Sequence, residues 1–165
     1  MSLDTLSPNG LYILLYVRQH PPMPNNFHWA FYFHKSPQQG GTKYHVKDIG
    51  QGWIPDHGVN HAVMKEFLLV GLFQIAHVPT GQEEYLDRTM RTFDGQLNVS
   101  ETTCRIWILW VLALLQRPVD GRRLLECDDI QALEEEIKDW GNGNAMGAAN
   151  NEQPRPVGRS SLCGL

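Results

Sequence analysis

The chain has 165 residues, with 14 basic and 18 acidic side chains, a net charge of −4 and a hydrophobic fraction of 42%. That length suits one domain with a sizeable core. The acidic balance argues against a nucleic-acid binder or a protein held on anionic membranes by basic charge.

Three cysteines, Cys104, Cys127 and Cys163, are too few and too scattered for a disulfide framework, and predict a reducing, cytoplasmic setting. The opening "MSLDTLSPNG" carries an early acid and no basic region, which predicts no secretory signal. The apolar run Ile106–Leu115 falls well short of the roughly 20 residues that cross a bilayer, so no stable membrane insertion is expected.

In chain order, "LYILLYVR" (Leu11–Arg18) is an apolar run rich in aromatic and branched residues and reads as a buried strand. The loop "QHPPMPNN" follows. "FHWAFYFHK" then alternates Phe27, Trp29, Phe31 and Phe33 with His28, Ala30, Tyr32 and His34. That is a period-two strand with one aromatic face and one mixed face. "SPQQGG" is a turn and "TKYHVKDI" a third strand. The short connection makes these two an antiparallel pair. Gly50–His61 is a loop rich in Gly and His, and "AVMKEF" a short helix. "LLVGLFQIAHV" is another strand, with Gly71 a bulge or a point of close packing.

Leu86, Met90 and Phe93 share one face of an amphipathic helix. Ser100, Thr102 and Thr103 are candidate N-caps for the next helix, which is apolar on all sides and runs to Gln116–Pro118. Such a helix should be central and buried. "DDIQALEEEIKDWG" is a last helix with Gly141 at its C-cap. From Asn142 the chain is small, polar and proline-dotted, which predicts a disordered tail over 142–165 beyond a domain of 1–141. The fold class is α+β: an antiparallel sheet packed on the central apolar helix.

One constellation could carry chemistry. His28 lies on one strand, His45 on the next and Cys104 at a helix start. Neighbouring antiparallel strands can hold two side chains about 5 Å apart at Cβ. A helix N-terminus lowers a thiol pKa and offers free amides to an oxyanion. In that arrangement Cys104 is the nucleophile, His28 the general acid/base and His45 the residue that orients it. A buried, inert thiol fits the same position.

These stretches also carry a resemblance. "LYILLYVR", "FHWAFYF", "GGTKYHVKDI" and "TTCRIWILWVLALL" resemble, in that order, a family of small fungal proteins, over about Leu11–Trp140. Their His–His–Cys order is similar to the circularly permuted papain-like fold of the lecithin–retinol acyltransferase group. The resemblance implies a permuted papain-like domain and the same roles for His28, His45 and Cys104. Thr103 departs from the fungal pattern, which has Asn there. Arg105 and Trp107 follow the fungal pattern and depart from the acyltransferase one.

The expected function is therefore a thiol-dependent hydrolase or transferase acting on an amide, ester or thioester. It would use no cofactor and no metal, since His57 and His61 have a metal-compatible spacing but no Cys or Glu to complete a site. The expected partner is a small-molecule or acyl substrate, bound by Trp29, Tyr32, Trp53 and Trp107. Oligomeric state stays open. Two alternatives remain. One is a pocket enzyme, a cyclase or isomerase of natural-product biosynthesis without covalent cysteine chemistry. The other is a non-catalytic binding module.

Overall fold

The computed structural model describes residues 3–165; Met1 and Ser2, which the expected 1–141 domain includes, lie outside the described residues. Strands β1 (Gly10–Val17), β2 (Phe27–Ser36), β3 (Gly40–Tyr44), β6 (Gly58–Asn60), β7 (Leu69–His77) and β8 (Val157–Arg159) form one mixed sheet in the order β6-β3-β2-β1-β7-β8. All neighbours are antiparallel except β7 and β8, which run parallel. Strands β4 (Val46–Asp48) and β5 (Trp53–Pro55) form a separate hairpin. The helices are α1 (Glu83–Met90), α2 (Cys104–Leu115) and α3 (Ile130–Ala149). The architecture is α+β, and among the described residues no helix is long and apolar enough to cross a membrane.

Side chains alternate across the sheet, and this decides which residues can meet. On β1, Leu11, Ile13, Leu15 and Val17 face one way and Tyr12, Leu14 and Tyr16 the other. On β2, Phe27, Trp29, Phe31 and Phe33 join the first set; Ala30 and Tyr32 join the second. The first face is covered by α2 and α3 through Ile108, Val111, Leu112, Leu133 and Ile137. Each large apolar side chain buried there contributes about 1.5–3 kcal/mol. The second face has only a thin cover. Short 3-10 turns at Leu3–Thr5 and Val63–Lys65 bring Leu6, Val63 and Met64 over Tyr12, Leu14, Tyr32 and Leu72.

Helix α2 was expected to be buried on all sides. It instead buries Trp107, Ile108, Val111, Leu112 and Leu115 and leaves Leu109, Trp110 and Leu114 half-exposed. Thr103 is its N-cap, its Oγ1 accepting from the Ile106 amide at 3.1 Å. The expected third strand breaks at His45, where the chain leaves β3 for the β4–β5 hairpin.

The largest correction concerns the segment after Gly141. Helix α3 runs through Gly141 and ends at Ala149. Gly141 is not a stop: a Cβ there would meet Leu15 Cδ1 at 2.5 Å and the Phe27 ring at 3.1 Å, so glycine lets the helix lie close to the sheet. Beyond it, 142–165 is ordered rather than a disordered tail. The buried Arg155 guanidinium donates to the carbonyls of Leu69, Val70, Glu152 and Asn144. Strand β8 extends the sheet, and Glu136 accepts from the hydroxyls of Ser160 and Ser161. Polar composition misled because a few buried polar anchors replace the apolar stripe that ordinarily signals packing. Gly71 packs closely as expected, since a Cβ there would strike the Pro156 carbonyl and Trp140.

Candidate functional site: a histidine relay beside β3

The structure separates Cys104 from the two histidines. Cys104 is 2% exposed and sits in the core on the helix-covered face. Its sulfur lies 4.0 Å from the Phe27 carbonyl oxygen. His28 follows Phe27 directly, so its ring falls on the opposite face. There it lies against Tyr16, its partner in the β1–β2 register, with ring centroids 5.7 Å apart. The helix-start position of Cys104 is as expected, but among the described residues no imidazole lies within hydrogen-bond reach of the thiol.

The two histidines do meet each other. His28 Nε2 lies 3.0 Å from His45 Nδ1, and His45 Nε2 lies 3.0 Å from Asp56 Oδ2. Asp56 reaches this position through the β4–β5 hairpin. Val46 pairs with Pro55, and one step further out the Asp56 amide donates to the His45 carbonyl at 2.8 Å.

The electrostatics fix the direction of the chain. Burial lowers His28 to about 4, helped by His45, Lys43 and Arg18. Burial and Lys43 lower His45 to about 4 against the opposing pull of Asp56. Burial pushes the Asp56 carboxyl up, but His45 and Lys47 outweigh it and hold the group below its usual range. At neutral pH both rings are therefore uncharged and the carboxylate is ionised. Asp56 must accept, so His45 carries its proton on Nε2. His45 Nδ1 is then an acceptor, and His28 donates to it from Nε2. The lone pair at the far end belongs to His28 Nδ1, which has no hydrogen-bond partner among the described residues.

A second polar cluster borders the relay. Glu66 accepts from Tyr16 Oη at 2.8 Å, Lys43 Nζ at 2.8 Å and Asn60 Nδ2 at 2.7 Å. The Lys43 ammonium also stands 4.6 Å from the Tyr16 ring centroid. An open depression of about 260 Å³ is lined by Lys43, His45, Asp56, Gly58 and Asn60 among others.

His57, in the segment expected to be a loop, has a buried side chain, 2% exposed. Its Nδ1 accepts from the His45 amide at 3.1 Å, its Nε2 donates to Asp94 at 3.0 Å, and its ring stacks on Trp107. Both ring nitrogens are engaged, so His57 cannot act as a base for Cys104 either. The expected substrate-binding residues are placed differently. Trp29, Tyr32 and Trp107 are fully buried and closed to a ligand. Trp53 is half-buried against the core, its amide donating to Asn98. His34, on the mixed face of β2, is wholly buried beside the Tyr32 hydroxyl rather than in water.

Asp56 and Asp94 were not among the expected site residues. Asp56 had a signal: the glycines of "KDIGQGW" allow a hairpin, and continuing its pairing outward sets Asp56 against His45. Asp94 follows α1 and had no local signal.

Taken together, the site defines an α+β protein with a hydrogen-bonded Asp–His–His chain beside the β2 and β3 strands of a mixed sheet. The chain belongs to DUF6914, a family of unknown function whose profile matches residues 9–143, a span that includes all three relay residues. No curated protein and no solved structure matches it.

Proposed function

We propose that this protein is a non-covalent acid–base catalyst that moves a proton on a small molecule, as in an isomerisation or a cyclisation. The observation that carries this reading is the hydrogen-bonded chain Asp56–His45–His28, ending in an unpartnered imidazole nitrogen. The proton leaves a carbon or hydroxyl of the substrate for His28 Nδ1. As that ring gains charge, its Nε2 proton shifts toward His45, and the His45 Nε2 proton shifts toward Asp56. The return path delivers a proton to a second atom of the substrate, so atoms and charge balance. Asp56 supplies the negative charge that stabilises the transient imidazolium. Lys43 stands beside the relay and favours a substrate that develops negative charge on a neighbouring oxygen.

Acyl transfer through Cys104 is the less favoured reading, because the thiol and His28 occupy opposite faces of β2. The test is solvent deuterium incorporation, followed by NMR, into a panel of small ketones, lactones and phenols with acidic C–H bonds. Exchange on at least one compound is expected to survive Cys104→Ala. It should fall about 100-fold or more in His28→Gln, the scale typical of a lost general base. Exchange abolished in a folded Cys104→Ala variant and retained in His28→Gln would overturn the proposal, as would no exchange above buffer with any compound.

A further inference from the structure

A cavity that shares no lining residue with the relay lies where the end of β7 meets the α2–α3 connection and the segment after β8. It measures about 560 Å³, within the roughly 300–1,000 Å³ range of small-molecule sites. Its apolar lining comes from Ile75, Ala76, Val119 and Leu124, together with Cys163. Burial pushes the Cys163 thiol up to about 12, so that part of the wall is uncharged.

One side of the mouth is a tight two-residue turn. Val119 and Arg122 exchange both backbone hydrogen bonds, at 2.6 and 3.0 Å. Asp120 and Gly121 between them have φ of 53° and 77°, the left-handed pair that a type I′ turn requires. The turn fixes where Arg122 enters the rim. Its neighbour Arg123 is already committed to Asp128 at 2.8 Å and Glu126 at 3.3 Å. The Arg122 guanidinium has no hydrogen bond or ion pair among the described residues. Thr80, Gln82 and His77 add further donors around the opening. The acidic side chains in the lining are Glu126, which is paired with Arg123, and Asp120 on the turn.

We infer that this cavity binds an amphipathic carboxylate, its aliphatic or aryl body on the half-exposed Val119 and Leu124 side chains and its headgroup on Arg122. An apolar body gains from leaving water, and a planar carboxylate matches the fork of a guanidinium with no other partner. This inference does not depend on the relay.

The test is isothermal titration calorimetry of the full chain with decanoate, acetate and decylammonium, all below micelle-forming concentrations. Saturable one-to-one binding of decanoate is expected, with none for acetate and at least tenfold weaker binding for decylammonium. Arg122→Gln, at an exposed position, should weaken decanoate at least fivefold with an unchanged circular dichroism spectrum. Leu124→Trp, which fills the cavity, should abolish binding; thermal melting checks that this variant is folded. Decanoate binding that is non-saturable, or equal in Arg122→Gln, would overturn the site. A preference for decylammonium would assign the headgroup to Asp120 and overturn the carboxylate.

Discussion

The two faces of the sheet solve different problems. Under α2 and α3, Leu15, Trp29, Phe31, Ile108 and Leu112 pack as an apolar layer closed by two helices. On the other face Tyr12, Leu14 and Tyr32 lie under short turns, and toward the β3 end the same face gives way to His28, Lys43, His45 and Glu66. The contrast shows how one residue step on a strand separates an apolar core position from a place in a polar cluster. Phe27 and His28 are neighbours in sequence; the first is part of the core and the second ends the hydrogen-bonded chain from Asp56 through His45. Two helices close the thick face, and the thin face leaves an open depression beside its polar groups.

This contrast can be broken by experiment. The largest effect should come from the helix-covered face. Ile13→Ala leaves a cavity between two rigid layers and is expected to cost about 4 kcal/mol. Leu14→Ala, one residue away under the thin cover, should cost about 2 kcal/mol because that cover can settle inward. Urea unfolding of both variants measures the difference, and equal losses would mean that the two faces are equally stiff.

Acid should act next, and on the thin face. His28 and His45 are lowered from 6.5 to about 4 in the folded protein. Below 6.5 the unfolded chain binds more protons than the folded one, so stability falls as pH drops from 6.5 toward 4. The loss is on the order of 3 kcal/mol for one ring. His28→Gln removes one of the two rings and should flatten this pH dependence in thermal melts between pH 7 and 4. An unchanged slope would remove the relay from the acid response.

A smaller loss is expected from Asp94→Ala, about 2 kcal/mol, because the buried His57 Nε2–H loses its acceptor. Histidine NMR should then show His57 shifting while His28 keeps its tautomer. Smallest is Thr103→Ala, about 1 kcal/mol for the α2 N-cap. It reports on the covered face alone and should leave the acid response intact.

Much of the sheet could be read from periodicity. The alternation of Phe27, Trp29, Phe31 and Phe33 defined both β2 and its covered face, and Thr103 was among the three N-caps expected for α2. Alternation also held the information that separated Cys104 from His28: an aromatic face that packs on the helix cannot share that helix with the residues between. Resemblance in the order His, His, Cys carried no such constraint, because order along a chain does not specify side of a sheet. The meeting of His28 with His45 followed from adjacent antiparallel strands. Asp56 depended on a hairpin that read as a loop. Arg155 and β8 were hidden because their anchors are isolated polar residues whose partners are main-chain carbonyls.

Arg155 and β8 bear on where this chain can be divided. The family match stops at residue 143, inside α3, yet the parallel strand that flanks β7 lies beyond it. A protein shortened to the matched span would sever α3 in mid-course and strip the guanidinium from the Leu69 and Val70 carbonyls. It would also bare the long, apolar margin of β7, the kind of unpaired border that recruits other chains into aggregates.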